Sequence, residues 1–100
     1  MTSAPVQLAD ELRAIVAHLA ATIGERNTSR RPDKLDAAAD WLTKELKPTY
    51  VQTYEADGHP CRNLEFEIRG ASKPDEIVVI GGHYDSVIGC PGANDNASGA

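Results

Sequence analysis

The apolar positions change period along the chain, and each change marks a different predicted element. In residues 5–23, Leu8, Leu12, Ile15, Leu19 and Ile23 recur at steps of three and four. That spacing lays one apolar stripe along a helix. Ser3 and Pro5 offer a start signal and Gly24 a stop. The polar connection ERNTSRR follows, with Arg30 and Arg31 read as a solvated charge pair. A second helix is predicted from Pro32 to residue 47, with Leu35, Ala39, Leu42 and Leu46 on one face and Trp41 at its margin. Pro32 suits a first turn, where its missing N–H is not needed. Lys44 and Lys47 sit favourably at the C-terminal dipole, and Pro48 ends the element.

Period two then takes over. Residues 50–55 carry strand-type side chains, Gly58-His59-Pro60 reads as a turn, and residues 63–69 alternate cleanly. In that alternation Leu64, Phe66 and Ile68 face inward, and Glu65, Glu67 and Arg69 face water. An antiparallel hairpin at a sheet edge is the expected result. After a linker at residues 70–75, alternation stops at Ile77-Val78-Val79-Ile80. A continuous β-branched run of this kind predicts a strand buried on both faces, as inside α/β sheets.

Bulk properties narrow the function classes. One hundred residues suffice for one small domain, and 41% hydrophobic with 25% charged residues is ordinary for a soluble globular chain. A net charge of −5 argues against a nucleic-acid surface. No apolar stretch approaches the roughly 20 residues of a membrane span. The first residues lack the basic region and apolar core of a secretory signal, so a cytoplasmic location is expected unless a leader has been removed. Cys61 and Cys90 are accordingly expected as free thiols. Two glycosylation sequons, at Asn27 and Asn96, are read as chance matches, the second because a glycan there would obstruct the candidate site.

The candidate chemistry lies in residues 76–99, EIVVIGGHYDSVIGCPGANDNASG. His83 follows Gly81-Gly82 at the carboxyl end of the apolar run, where open α/β sheets gather their ligand groups. Neutral imidazole and carboxylate are standard zinc ligands, and His83 and Asp95 converge if the intervening loop folds back. Asp85 lies two residues past His83 and so on the same side of extended backbone. There it can accept the N–H of the non-ligating nitrogen and fix the ring. A carboxylate such as Asp95 can also bridge two ions, which two-metal sites hold roughly 3.5–4 Å apart. Spacing alone leaves a blander alternative open, in which His83 closes a strand and Asp95 stabilises a turn. Cys90 could ligate as a thiolate but ranks as a loop residue, and His18 and His59 read as a helix-surface and a loop histidine.

The whole phrase is more specific than its spacing. GGHYDSV followed by PGANDNASG resembles the co-catalytic zinc exopeptidase family that includes aminopeptidase Y and bacterial leucyl aminopeptidases, with relatives among glutamate carboxypeptidases and glutaminyl cyclases. The resemblance implies that His83 is a terminal zinc ligand, Asp95 the carboxylate bridging two zinc ions, and Asp85 the residue orienting the histidine. It further implies a cis peptide at Asp95-Asn96. An Ile-Gly-Glu-Arg-Asn stretch and a helix with Ala-Ala-Asp-Trp-Leu are similar to the family's N-terminal pair and read as scaffold. The expected fold is therefore α/β: the N-terminal part of a mixed-sheet α/β/α sandwich, with two helices, an antiparallel hairpin and a buried parallel strand.

By the same resemblance the parent is a zinc aminopeptidase, in which metal-activated water attacks the carbonyl of a peptide's N-terminal residue. A carboxypeptidase, a glutaminyl cyclase or a non-catalytic receptor-like relative are the alternatives. The family's remaining ligands and its general base lie downstream of the bridging aspartate, so residues 1–100 read as a peptidase segment truncated after that motif. Two expectations follow for this chain alone: inactivity with weak or no zinc binding, since a closed site needs about four ligands, and self-association through the unpaired edge of the apolar strand.

Overall fold

The computed structural model of the protein describes residues 4–100. Helix α1 covers Ala4–Ala17 and continues as a π-helical segment, His18–Ile23, that stops at Gly24. Gly24 has φ 81°, a conformation that suits glycine, and its N–H bonds the Leu19 carbonyl at 3.0 Å. Of the expected apolar stripe, only Leu19 is fully buried; Leu8 and Leu12 remain about half exposed. Ser3, the expected start signal, lies outside the described residues.

Helix α2, Pro32–Leu46, matches the predicted span to within a residue. Pro32 opens it, Asp33 complements the dipole in the first turn, and Lys47 closes it in the left-handed region at φ 50°. Asn27 prepares the entry: its Oδ1 accepts the backbone N–H groups of Arg30 at 2.7 Å and Arg31 at 3.2 Å. Leu35, Ala38, Ala39 and Leu42 are buried, whereas Leu46 is not. Leu19, Ala38, Leu42 and Ala97 form the core, with Ile15, Val16, Ile23, Trp41, Leu64 and Tyr84 packed around it. His18 stacks on Trp41 with ring centres 4.1 Å apart, which covers the margin of the α2 face.

The hairpin is present but shifted from expectation. β1 is Tyr50–Ala56 and β2 is His59–Glu65, paired antiparallel from Tyr50↔Glu65 to Ala56↔His59. The turn is Asp57-Gly58, both at positive φ (53° and 73°), the two-residue geometry that matches strand twist. His59 and Pro60 therefore belong to the strand rather than the turn. A two-residue loop makes Ala56↔His59 a hydrogen-bonded pair, so Pro60 falls where its missing N–H costs nothing. The ladder ends at Glu65, leaving Phe66 and Ile68 exposed instead of facing inward.

Residues 77–80 depart furthest from their predicted form. They join no ladder among the described residues, and their exposures run from 83% to 93%. Among the described residues no second strand lies beside them and no helix covers them, so the apolar run has nothing there to be buried against. What stands is a mixed α/β arrangement of helices with one antiparallel pair. Cys61, buried, and Cys90, exposed, are both free thiols.

Candidate metal centre

The two halves of the candidate site sit on loops that the scaffold holds at three points. The first is Tyr84, between His83 and Asp85. Alternation along extended backbone sends its ring into the core while its neighbours turn the other way. Its hydroxyl donates to the Arg62 carbonyl of β2 at 2.7 Å, and burial pushes its pKa up to about 12. Ala97 supplies the second: only 3% exposed, it plugs the segment Ala93–Ala97 into the helical core. That segment is a π turn, with Ala97 N–H on Gly92 O and Ser98 N–H on Ala93 O, both at 2.9 Å. Its three central residues, Asn94, Asp95 and Asn96, depart from helical dihedrals, and the Asp95-Asn96 peptide is cis.

The third point is the connection after α1. Ser86 and Arg26 exchange two bonds, from Ser86 N–H to the Arg26 carbonyl at 2.7 Å and from Arg26 N–H to Ser86 Oγ at 3.0 Å. The Arg26 guanidinium, fully buried, donates to the carbonyls of Leu19, Gly24, Tyr84, Pro91 and Gly92. Beside it, Glu25 accepts the Gly89 N–H at 3.0 Å. Gly92 is confined by this packing: a Cβ there would come within 2.7 Å of Ser86 Cβ and 2.9 Å of the Asp95 carbonyl, at φ 66°. In sequence this connection reads as a plain polar link, and Arg26 does not stand out in it. The one available signal was an arginine directly after a helix stop, and nothing in composition separates it from Arg30 or Arg31.

Held in this way, the three predicted residues meet. His83 Nδ1 lies 2.8 Å from Asp85 Oδ1, and His83 Nε2 lies 3.0 Å from Asp95 Oδ1. Asn96 braces the same spot by donating to the His83 carbonyl at 3.3 Å. A neutral imidazole has one N–H. If Nδ1 donates it to Asp85, the lone pair of Nε2 faces a carboxylate oxygen, and two acceptors stand in contact. Only a proton or a cation between them relieves that arrangement. Partial burial pulls the His83 pKa down, but the hydrogen bonds and charge of Asp85, with the bond to Asp95, outweigh it and raise the value.

The pair also fits an ion by distance. Two ligands on one tetrahedral zinc, with bonds of about 2.0–2.1 Å, stand roughly 3.3 Å apart. Asp85 engages the far nitrogen and so orients the ring rather than facing the ion. Among the described residues, no three His, Cys, Asp or Glu side chains are arranged to ligate one metal ion. These residues therefore offer two donors of the four that such an ion takes. Cys90 is exposed, and its backbone N–H bonds the Val87 carbonyl at 3.1 Å. His59 pairs with Asp36 at 2.9 Å, away from the centre.

One histidine thus has a carboxylate at each of its two ring nitrogens. Residues 63–100 match the model of peptidase family M28. A probable zinc metalloprotease of Pyricularia oryzae is 32% identical over 117 aligned positions, which take in 88% of this chain and 23% of that relative. Another, from Leptosphaeria maculans, is 29% identical over 120 positions, covering 91% of this chain and 28% of the relative. The chain thus spans about a quarter of the length of the curated relatives it matches. No solved structure matches it. The similarity is to zinc metallopeptidases, and the matched segment contains His83, Asp85 and Asp95.

Proposed function

We propose that this chain forms the N-terminal part of a zinc-dependent aminopeptidase, with His83 and Asp95 as metal ligands and Asp85 as the orienting carboxylate. The observation that carries the reading is the His83 ring held between Asp85 and Asp95. Its spacing suits a shared cation and its neutral form cannot satisfy both partners. The M28 match and the zinc metalloprotease relatives support the class of chemistry. Zinc bound there would lower the pKa of a water and polarise the scissile carbonyl. The chain's own groups do the rest: Asp85 keeps the Nδ1 proton in place so that Nε2 presents its lone pair, and Asp95 offers two oxygens, enough for a bridge between two ions. The substrate is a peptide with a free N-terminus. The described residues bring two ligands together, short of the four that a closed zinc site takes, so the 100 residues by themselves should hold zinc weakly and turn nothing over.

The test is metal analysis and hydrolysis with the full-length protein. Two zinc ions per chain and cleavage of aminoacyl anilides are expected. His83→Ala and Asp95→Asn should each lose metal, and activity should fall on the order of 100-fold or more; Asp85→Asn should cost about 10–100-fold. Unchanged zinc stoichiometry in both His83→Ala and Asp95→Asn would overturn the ligand assignment. Preference for a C-terminal residue, or cyclisation of N-terminal glutamine, would replace the aminopeptidase reading while leaving the metal centre standing.

A further inference from the structure

We propose that Arg26 is the positioning residue of this centre, its guanidinium setting the distances among His83, Asp85 and Asp95. The inference rests on the reading that these three serve a metal ion. Arg26 is fully buried, and all its hydrogen-bonded partners are main-chain carbonyls or Ser86. Two of those carbonyls, Leu19 at 3.2 Å and Gly24 at 3.1 Å, belong to the helix end and are fixed scaffold. The other three belong to the site. Tyr84 sits between His83 and Asp85, while Pro91 and Gly92, the latter at 3.1 Å, lead into the turn that carries Asp95. One side chain therefore ties the strand-end half of the site, the turn half and the scaffold to a single rigid plane.

The residue type matters. A guanidinium holds its donors in a fixed planar fork that reaches five carbonyls from different segments, Nη1 sharing its two N–H groups among three of them, whereas a lysine offers three donors at one point. Burying a cation is costly unless its bonds are satisfied, and a neutral side chain could have closed an ordinary loop. Gly92 shows how closely the parts are fitted: a Cβ on it would lie 3.3 Å from Arg26 Nη2 while also striking Ser86 and the Asp95 carbonyl. The Gly92 carbonyl that accepts from Arg26 also accepts the Ala97 N–H, so any slip of the guanidinium passes into the turn holding Asp95. Misplacement of one ligand by a fraction of an ångström is enough to weaken a shared ion.

The experiment compares full-length wild type, Arg26→Lys and Arg26→Gly by zinc competition against a fluorescent chelator and by amide hydrogen exchange. In Arg26→Lys, zinc affinity should fall about 10–100-fold. The amides of Ser86, Ala97 and Ser98 should exchange faster while those of α2 keep their protection. In Arg26→Gly, guanidinium chloride at low millimolar concentration should restore both affinity and protection, and equal sodium chloride should not. Unchanged affinity and exchange in Arg26→Lys overturns the proposal, as does parallel loss of protection in α2, which would mark a general destabilisation. A soluble Arg26→Gly that guanidinium does not rescue counts against it equally. If Arg26→Gly fails to fold, the two readouts on Arg26→Lys decide. If the wild type binds no zinc, the metal reading falls, and loop exchange still reports whether Arg26 sets the site's geometry.

Discussion

Glu25 and Arg26 are sequence neighbours of opposite charge that grip the same loop by different physics. Arg26 is sealed from water and satisfies carbonyls; partly exposed Glu25 accepts the Gly89 N–H near the loop's tip and the Asn27 amide at 3.2 Å. The bond from Asn27 holds the Glu25 carboxyl below its ordinary pKa; slight desolvation opposes it, and the Gly89 N–H, Arg30 and Arg31 reinforce it. A carboxylate with a depressed folded pKa contributes its stability fully above the unfolded value near 4.3 and loses it as pH falls through the folded value. The loop should therefore loosen in acid, as pH falls through the lowered value of the folded Glu25 carboxyl. Followed by NMR, the Gly89 amide shift should titrate with the Glu25 carboxyl, and Glu25→Gln should abolish that titration. A Gly89 amide that ignores Glu25 would show that the bond does not persist in solution.

At the scale of elements, burial rather than pattern separates the residues that hold the fold from those that only share its period. Leu42 of α2 is 3% exposed in the core, whereas Leu8 of α1 is 55% exposed, although both were placed on apolar faces. Leu42→Ala should cost about 2–5 kcal/mol of unfolding free energy, and Leu8→Ala within about 0.5 kcal/mol, both read from urea transitions of the same protein. A large cost at Leu8 would mean that something covers that face in solution. The α2 boundaries were legible because Pro32 and Pro48 punctuate a regular period. Helix α1 was legible in extent, but not in its change to π geometry over His18–Ile23, since no residue type marks a change of hydrogen-bond register. The hairpin turn lies one residue earlier than Gly58-His59-Pro60 suggests. Asp57-Gly58 is the stronger turn signal, and proline is tolerated at a non-bonded position beside it. The convergence of His83, Asp85 and Asp95 was legible because alternation fixes the first pair. Arg26 was not, because its partners are carbonyls, which no sequence pattern displays.

For the whole molecule, the apolar run at residues 77–80 is a question of what surrounds it. Burial of a strand on both faces is a property of its neighbours, and the described residues provide none. The consequence is visible in the dimensions: the radius of gyration is 15.0 Å, against roughly 13 Å for a compact domain of this length. An open trough runs beside the hairpin, lined by Tyr54, Leu64, Phe66, Ile77, Val79 and His83. Ile77, Val78, Val79 and Ile80 together present a contiguous apolar edge with unpaired backbone, the kind of surface that pairs with another copy of itself. The 100-residue chain taken alone should therefore associate in a concentration-dependent way in sedimentation velocity. Its net charge of −5 opposes that association, so raising the ionic strength from 0.01 M to about 0.1 M, which shortens the screening length from roughly 30 to 10 Å, should strengthen it. Val79→Lys places a charge in the centre of the run and should shift the equilibrium toward monomer without altering the hairpin or α2. A wild-type chain that stays monomeric at high concentration in both salts would show that the edge is shielded in solution by a rearrangement of residues 66–82.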